Sequence, residues 1–506
     1  MTKESQVILV GAGPGSLTLA GELALGGVSC LVLERRSGRS EQSRALGLQP
    51  RTLELLDLRN QARQFIALGH PIDHYRVTVG PARLDLSGLD TRFQQLCILP
   101  QSLTEELLEK RARELGAEVV RDAEVLGVRQ DADSVIVQVR DSGRVKNVRA
   151  QWVVGCDGSH STVRESLGIG FPGSTYPYNV VVGDVRLASP PGDGMLVEVG
   201  RSGLVAAIDF GTGWWRVGAV NWSRPKDAGE PVTVSELGET LAAVFGYDLG
   251  PHAPLWMTRF LFQNRQAATW RVGRVLLLGD AAHVHAPLGA QGLNMSMQDA
   301  MNLGWKLAAV ARGDAPPALL DTYERERRPV AAKVLRASDI AIRTLMSQRL
   351  PVRAARRVLI PAVTGSRRGH QLLAGYISGL SWGYRPARTR GRPGIVGCRV
   401  PDAVLRTADE KASRLFELFR HGKFVLIEQA GDQLAAVVNP WAGTVRRFAG
   451  RIEDRPALAR YSGILLRPDG YCAWAGGVED TSSLRATLRE LCGEPDPRAS
   501  GPPSWW

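Results

Sequence analysis

The stretch Arg274 to Leu307, RVLLLGDAAHVHAPLGAQGLNMSMQDAMNLGWKL, decides how the chain is organised. Its apolar run, Val275 to Leu278, is typical of a buried strand, and a Gly- and Pro-containing loop then leads to a helix that begins near Gln291. A carboxylate at a strand end, such as Asp280, accepts hydrogen bonds from polyol hydroxyls, and free N–H groups at a helix N-terminus attract an electron-rich group. The stretch therefore indicates a site for a polyol or phosphate ligand, although an aspartate that caps an ordinary turn gives the same pattern.

The N-terminus contains a second piece of such a site. A strand at Gln6 to Val10 leads into the turn GAGPGS at 11–16, a helical segment, and a strand at Cys30 to Leu33 that ends at Glu34. This β-α-β pattern places a pyrophosphate on the Gly-rich turn and a ribose on the acidic residue about twenty positions later, which favours FAD or NAD over NADP. Ser16 departs from the fingerprint, which has Gly or Ala there, but serine is small enough for the helix to pack closely.

A third piece lies at Val153 to Arg164, VVGCDGSHSTVR. A strand again ends in Asp-Gly, and a Ser-rich turn opens a helix. Taken alone, this pattern predicts a capped turn.

Bulk properties restrict the class of protein. The 506 residues are too many for one core and suggest two to four domains, and 44% hydrophobic with 23% charged residues is ordinary for a globular protein. No apolar run reaches the roughly 18 residues of a membrane span, so we expect no membrane partner, and we see no signal peptide. The net charge is +12, but Lys and Arg are scattered and aromatic residues are only 6%, so we expect no nucleic-acid partner. The six cysteines form no CxxC pair, which predicts reduced thiols, no metal site and a cytoplasmic location.

Together, GAGPGS with Glu34, the DGxxSxxR of Asp157 to Arg164 and the GDAAHxHxP of Gly279 to Pro287 resemble the class A, single-component FAD-dependent aromatic monooxygenases. The DAxNLxWKL of Asp299 to Leu307 and the YExERRP of Tyr323 to Pro329 are similar to the same family. Within it, the chain resembles the hydroxylases that tailor polycyclic aromatic polyketides in antibiotic biosynthesis. The resemblance covers essentially the whole chain.

The resemblance implies an α/β fold: a Rossmann-like FAD-binding domain, an inserted substrate domain with a mixed or antiparallel sheet, and a thioredoxin-like α/β domain at the C-terminus. We expect the FAD-binding domain at 1–174 and 271–345, with part of the substrate wall at 70–100. The substrate domain is expected at 175–270, where alternating apolar segments are separated by turns. The remainder divides into a linker at 346–397, rich in Arg, Gly and Pro, the thioredoxin-like domain at 398–492 with strands at Phe424 to Glu428 and Ala435 to Val438, and a mobile tail at 493–506.

The resemblance also implies the roles of individual residues. The FAD pyrophosphate, adenosine, ribityl chain and flavin ring would contact Gly11, Gly13, Pro14, Glu34, Arg35, Arg44, Gln101, Asp157, Asp280, Pro287, Gly292, Leu293 and Asn294. Ala290 departs from the family, in which many members have Gly, and its methyl group would stiffen or narrow the loop. Each of these residues also has an ordinary structural interpretation, and His283 and His285 are read as structural loop residues.

The middle segment supplies the candidates for substrate contacts. Aromatic and apolar side chains on its strands would line the pocket, although such residues are usually core: Met195, Phe210, Trp222, Trp256 and Phe262. A surface position is favoured over a role in orienting a phenolate or carboxylate for three arginines, Arg83, Arg216 and Arg259. The C-terminal domain has no Cys pair at redox spacing, so a structural or dimer-supporting role is expected, in a monomer or a homodimer.

The resemblance implies the reaction. NAD(P)H would visit transiently and reduce FAD, the reduced flavin would form a flavin hydroperoxide with dioxygen, and an electron-rich phenolic ring would attack the distal oxygen. Because the cofactor carries the chemistry, we name no catalytic residue. Baeyer–Villiger insertion or oxidative ring rearrangement on the same scaffold, and a non-catalytic flavin- or polyketide-binding protein, are the alternatives. The WxWxIP signature of flavin halogenases is absent.

Overall fold

The computed structural model describes residues 5–40, 45–77, 83–192, 194–222, 230–286, 289–384 and 394–495. In chain order its strands are β1 (Ser5–Val10), β2 (Cys30–Leu33), β3 (Gly47–Leu48), β4 (His70–Ile72), β5 (His74–Val77), β6 (Arg83–Asp85), β7 (Leu96–Ile98), β8 (Glu118–Val120), β9 (Ala123–Gln130), β10 (Val135–Asp141), β11 (Arg144–Gly155), β12 (Gly173–Leu187), β13 (Met195–Val199), β14 (Gly203–Asp209), β15 (Trp215–Asn221), β16 (Pro251–Gln266), β17 (Arg271–Val272), β18 (Val275–Leu277), β19 (His283–Val284), β20 (Val404–Arg406), β21 (Ala412–Arg414), β22 (Phe424–Glu428), β23 (Val445–Ala449), β24 (Arg451–Ile452), β25 (Gly463–Leu466) and β26 (Cys472–Gly476). Its helices are α1 (Pro14–Leu25), α2 (Pro50–Asp57), α3 (Ala62–Leu68), α4 (Gln101–Glu114), α5 (Thr162–Ser166), α6 (Val234–Phe245), α7 (Gln291–Arg312), α8 (Asp321–Met346), α9 (Leu350–Gly365), α10 (Arg367–Ile377), α11 (Ala435–Val438), α12 (Pro456–Ala459) and α13 (Thr481–Cys492).

The FAD-binding part is built on a parallel sheet with the order β17-β18-β11-β1-β2-β8. β18, β11, β1, β2 and β8 run parallel, while β17 and the β9-β10 pair extend the sheet with antiparallel strands. Parallel strands covered on both faces become continuous apolar runs, and Val7 to Val10 and Val275 to Leu277 are all buried. α1 packs against α4 and α7, and a Cβ on Gly304 of α7 would lie 2.6 Å from the Cβ of Glu22, so this glycine permits the close approach.

The second large sheet is antiparallel except at one edge, with the order β19-β16-β12-β15-β14-β13-β5-β6. Its two edges receive strands from the FAD-binding part: β5 pairs parallel with β13, and β19 pairs antiparallel with β16. α6 covers one face, where Leu237 and Leu241 pack against Val205 and Val217. The other face looks towards the FAD-binding part.

The C-terminal part has the thioredoxin-like topology that the resemblance implied. The sheet order is β23-β22-β25-β26, in which β23 runs parallel to β22 while β25 and β26 are antiparallel. α11 and α12 follow the first two strands, and α13 follows the last. The predicted strand at Ala435 to Val438 is wrong, because these residues form α11; a short apolar run does not distinguish a strand from a buried helical turn.

The predicted linker at 346–397 is also corrected, because α9 and α10 occupy most of its first half. The prediction depended on the Arg, Gly and Pro content of the segment. Pro351, however, lies in the first turn of α9, where a backbone N–H would have no partner within the helix, so proline is tolerated there. Ser366 caps α10 by accepting a hydrogen bond from the N–H of Gly369 (3.1 Å). Residues 385–393 of the predicted linker and 496–506 of the predicted tail lie outside the described residues. Among the helices that the structure describes, none is long and apolar enough to cross a bilayer.

Candidate functional site

The three motif turns meet at the carboxyl edge of the parallel sheet. A Cβ on Gly11, whose φ is +97°, would lie 2.6 Å from the carbonyl oxygen of Cys156, so the first turn passes directly over the second. A Cβ on Gly279 would lie 2.5 Å from Oγ of Ser296 on α7, and a Cβ on Gly15 would strike the same hydroxyl. Three stretches that are remote in sequence therefore surround one place, as a shared ligand requires.

Arg164 joins the second turn to the third. This buried side chain donates from Nη2 to the carbonyl of Ser159 (2.9 Å) and from Nη1 to that of Ala281 (3.0 Å), and it stacks on Phe171. Asp157 accepts hydrogen bonds from Ser161 Oγ (2.6 Å) and from the N–H of Val163 (3.0 Å), which is a capped turn. Burial outweighs these bonds and raises the pKa of Asp157. A contact from Asp157 to FAD stays a prediction.

Glu34 and the start of α1 have the geometry that a dinucleotide needs. The buried Glu34 accepts a hydrogen bond from the N–H of Ala12 (2.8 Å) and, on its other oxygen, from Nε of Arg36 (2.9 Å). Burial alone would raise the pKa of Glu34, but these bonds outweigh it and lower the pKa, so the residue is an anion near neutrality. No side chain caps α1 and its first turn holds no acidic residue, so its N-terminus suits a pyrophosphate. These residues fit FAD.

Arg36 was missed by sequence reasoning, which assigned a role to Arg35. Both side chains are exposed, and the guanidinium of Arg36 pairs with Glu34. A contact from Arg35 to FAD stays a prediction. The adjacent arginines gave no signal for choosing between them. Arg44 and Pro287 lie outside the described residues.

The loop before α7 is held by the side chain of Asn294. Its Nδ2 donates to the carbonyls of Gly47 (2.7 Å) and Ala290 (2.6 Å), and its Oδ1 accepts from the N–H of Gln49 (2.9 Å). Asn294 is fully buried, so its side chain positions the loop. Ala290 has φ +54° and ψ 36°, the left-handed conformation that favours glycine, which gives a physical reason for the glycine of many family members.

The remaining predicted FAD residues lie around the same edge. Gln101 accepts from the N–H of Ala45 (3.1 Å) and donates to Glu105 (2.7 Å), so it fastens the start of α4 to the chain that follows Arg44. Asp280 is exposed in a short 3-10 helix, Gly279–Ala281, directly after β18. α7 has no side-chain cap and no acidic residue in its first turn. Its N-terminus, with Gly292 and Leu293, therefore suits a ligand group on which negative charge develops.

A buried triad beneath this loop was also missed. Asp299 binds His283 Nε2 through Oδ2 (2.7 Å) and Arg327 Nε through Oδ1 (2.6 Å), and all three side chains are fully buried. Burial raises the pKa of Asp299, but Arg327 and His283 outweigh it and lower the pKa. His283 therefore has the structural role expected of it. The triad joins β19, α7 and α8, the segments that carry the family motifs.

His285 is the second histidine of the motif. Burial lowers its pKa to about 4, so its ring is neutral near pH 7. Nδ1 contacts the carbonyl of Ala286 (2.9 Å), and Nε2 is buried without a hydrogen-bond partner among the described residues. No group of metal-ligating side chains occurs in the part of the chain that the structure describes.

The predicted substrate residues lie on the sheet face opposite α6, at its two ends. Met195 and Phe210 pack with Ala374 and Ile377 at the α10 end, while Trp222 and Phe262 pack with Met346 and Ala286 at the α8 end. Trp256 lies on the same face and donates to Asp184 (2.9 Å). Whether these residues touch substrate stays a prediction.

Two of the arginines placed on the surface have side chains that are only 4% exposed. Arg216 forms a bidentate pair with Asp184, 2.5 Å from Nε to Oδ1 and 2.9 Å from Nη2 to Oδ2, on the sheet face that carries Trp256. Arg259 pairs with Glu236 of α6 on the opposite face. Sequence alone gave no sign of these carboxylate partners, which lie on other elements. The side chain of Arg83 lies outside the described residues.

Comparison with known proteins gives one consistent result. Residues 4–338 match the family described as "FAD binding domain", and residues 394–495 match "Aromatic-ring hydroxylase, C-terminal". The chain is 39% identical to the 12-dehydrotetracycline 5-monooxygenase/anhydrotetracycline 6-monooxygenase of Streptomyces rimosus, covering 97% of this chain and 99% of that protein. It is 38% identical to the rifampicin monooxygenase of Streptomyces venezuelae, covering 94% and 96%. The solved anhydrotetracycline hydroxylase from Streptomyces rimosus superposes with a TM-score of 0.86 at 37% identity, covering 97% of this chain and 100% of that one.

Proposed function

Since the chain belongs to the family of FAD-dependent aromatic-ring hydroxylases, we propose that its substrate is a polycyclic phenolic or quinone compound of the polyketide type. The supporting relatives are monooxygenases whose names give tetracycline precursors and rifampicin as substrates. One oxygen atom of dioxygen enters the substrate, the other leaves as water, and NAD(P)H supplies the two electrons. FAD, when bound, supplies this redox chemistry by accepting a hydride and activating dioxygen.

The observation that carries the proposal is the path of the chain after Asp280. After β18 the chain leaves the FAD-binding sheet, β19 pairs with β16 of the antiparallel sheet, and the chain then returns to α7. The segment that leads into the proposed flavin-bordering loop is thus hydrogen-bonded to the sheet with the aromatic face. A flat substrate on that face would lie beside this loop.

We propose the following roles for the residues. The uncapped α1 N-terminus, with Gly11, Gly13 and Pro14, holds the pyrophosphate, and Glu34 accepts the ribose hydroxyls. Asp280 accepts a ribityl hydroxyl, and the α7 N-terminus stabilises negative charge on the ring. The apolar groups around Met195 and Phe262 exclude water from the reacting region.

We also propose the division of labour between domains. FAD is bound by residues 1–174 and 271–345, and the substrate is bound by residues 175–270 together with the wall at 70–100. Residues 398–492 have a structural or dimer-supporting role. All six cysteines are unpaired, which supports a reducing, cytoplasmic location.

Purified protein with FAD tests the proposal. We expect NADPH or NADH oxidation to accelerate when polycyclic phenols are added, and the product to gain one oxygen atom from labelled dioxygen. Its ring connectivity distinguishes hydroxylation from insertion next to a ketone. Protein that binds no FAD, or whose NAD(P)H oxidation no aromatic compound stimulates, would contradict the proposal.

A matched pair of variants localises the substrate. Phe210→Ala, on the proposed substrate face, should lower substrate-stimulated oxidation while flavin content stays unchanged. Phe245→Ala, on the α6 side of the sheet, is the control and should have no such effect. Equal losses from both variants would contradict the assignment of the face.

A further inference from the structure

Lys and Arg occur along the whole chain, but the excess of positive over negative residues is concentrated in one segment. Residues 340–401 contain twelve arginines and no Asp, Glu or Lys, while the whole chain has a net charge of +12. The rest of the chain is therefore neutral in sum. Five of these arginines lie on α9 and α10, while four others lie outside the described residues.

α9 turns its apolar side outwards. Leu350, Val358, Leu359 and Val363 are between 43% and 76% exposed, and Leu372 of α10 is 73% exposed. Arg356, in contrast, is buried and donates to the carbonyl of Leu345. Surface helices normally bury their apolar stripe, whereas α9 leaves much of its apolar surface uncovered.

The exposed apolar side chains form a concentrated patch. Six of the twelve exposed large apolar residues in the described part of the chain lie between Ile340 and Leu372. Single exposed leucines are ordinary, but a stripe along one helix indicates a contact surface. Arg349, Arg357, Arg367 and Arg368 are exposed along the same two helices.

We propose that the α9–α10 face docks on an anionic lipid bilayer surface. An amphipathic helix with aliphatic side chains and flanking arginines binds in this way, through apolar burial and attraction to acidic headgroups. A second copy of the chain fits poorly, because a two-fold axis would place one arginine-rich face against another. An acidic protein is less favoured, because the patch is aliphatic and lacks the Trp and Tyr anchors that dominate protein interfaces.

The docked face lies directly behind the proposed substrate face. The inner side of α10 packs Leu373, Ala374 and Ile377 in one cluster with Met195 and Phe210. Docking would thus bring apolar compounds dissolved in the bilayer close to this end of the sheet. The inference revises the expectation of no membrane partner, which depended only on the lack of a spanning segment.

Co-sedimentation of the FAD-loaded protein with vesicles tests the inference. We expect binding to phosphatidylcholine vesicles that contain phosphatidylglycerol, little binding to phosphatidylcholine alone, and release when salt rises from about 0.1 M to about 1 M. Each of Arg357→Gln and Arg368→Gln should weaken partitioning about fivefold. V358Q/L359Q should weaken it about tenfold or more.

Matched controls are Arg144→Gln and Val145→Gln, in an exposed hairpin away from the patch, and they should bind like the parent. Unchanged flavin content and NADPH oxidation show that each variant is folded. No binding to acidic vesicles, equal binding to both lipids, or equal effects of patch and control variants would overturn the inference. A parent dimer that V358Q/L359Q converts to a monomer, without vesicle binding, would assign the face to a second copy instead.

Discussion

Asp299→Asn should be among the most destabilising single substitutions in the FAD-binding part. The side chains of Asp299, His283 and Arg327 are fully buried, and the two oxygens of the carboxylate bind the other two groups at 2.7 and 2.6 Å. Without the carboxylate, the other hydrogen bonds of Arg327 are weak ones, to Tyr384 (3.3 Å) and to the carbonyl of Met295 (3.4 Å). Removing one partner of a buried ion pair costs about 3–5 kcal/mol, because the other charge stays buried and uncompensated.

The assay is urea unfolding, followed by tryptophan fluorescence and by release of FAD. Asp314→Asn is the matched control: Asp314 pairs with Arg312 on the surface, so its loss should cost at most about 1 kcal/mol. The double variant D299N/R327M should be less destabilised than the sum of its two single variants, because neither charge then remains alone. A cost below about 1 kcal/mol for D299N, or strict additivity in the double variant, would refute the reasoning.

The lowered pKa of Asp299 sets the pH dependence of this effect. A carboxyl whose pKa is lower in the folded protein contributes stability above its ordinary pKa and loses it as pH falls through the lower, folded value. The difference in unfolding free energy between the parent protein and Asp299→Asn should thus be full near neutral pH and shrink only under strongly acidic conditions.

Three further predictions concern separate parts of the fold. Glu34→Gln should raise the Kd for FAD about 10- to 100-fold in a fluorescence titration, because it removes a charged acceptor; an unchanged Kd would count against the ribose contact. Ala290→Gly should stabilise the protein by about 1 kcal/mol, seen as a small rise in Tm, because it relieves a left-handed alanine; a fall in Tm would contradict this. Burial lowers the pKa of Lys306 to about 8, so the unfolded chain binds more protons between pH 8 and the ordinary value of 10.5, and stability should rise with pH there. Lys306→Met should abolish that rise, and an identical pH profile would exclude Lys306 as its source.

The parts of the fold that depend on local sequence could be predicted. A Gly-rich turn between a buried strand and a helix, followed by a strand that ends at Glu34, specifies the β-α-β unit within about thirty residues. The strands of the substrate sheet were recognised because alternation and turn residues are also local signals. Segments of this kind can be predicted without knowing which distant residues they contact.

The buried charge pairs could not be predicted, because each partner lies on a different element. Arg327 follows Asp299 by 28 residues, and nothing in their spacing distinguishes them from the solvated charges around them. Arg216 was placed on the surface for the same reason, since its partner Asp184 lies on another strand. α9 was missed because composition was weighed above helix capping.

Ion pairs between distant elements also explain why a thioredoxin-like domain that has no redox cysteines accompanies the FAD-binding part. Arg467 reaches across to Glu326 of α8 (2.7 Å), which also binds Lys306 of α7 (2.9 Å), while burial raises the pKa of the Cys472 thiol and keeps it unreactive. Removing the domain would leave Lys306 and Glu326 without Arg467 and would expose Trp305, which packs against Phe424. Because α7 carries both Asp299 and Lys306 and begins at the loop that we propose borders the flavin, the domain stabilises the helix on which the proposed cofactor site depends.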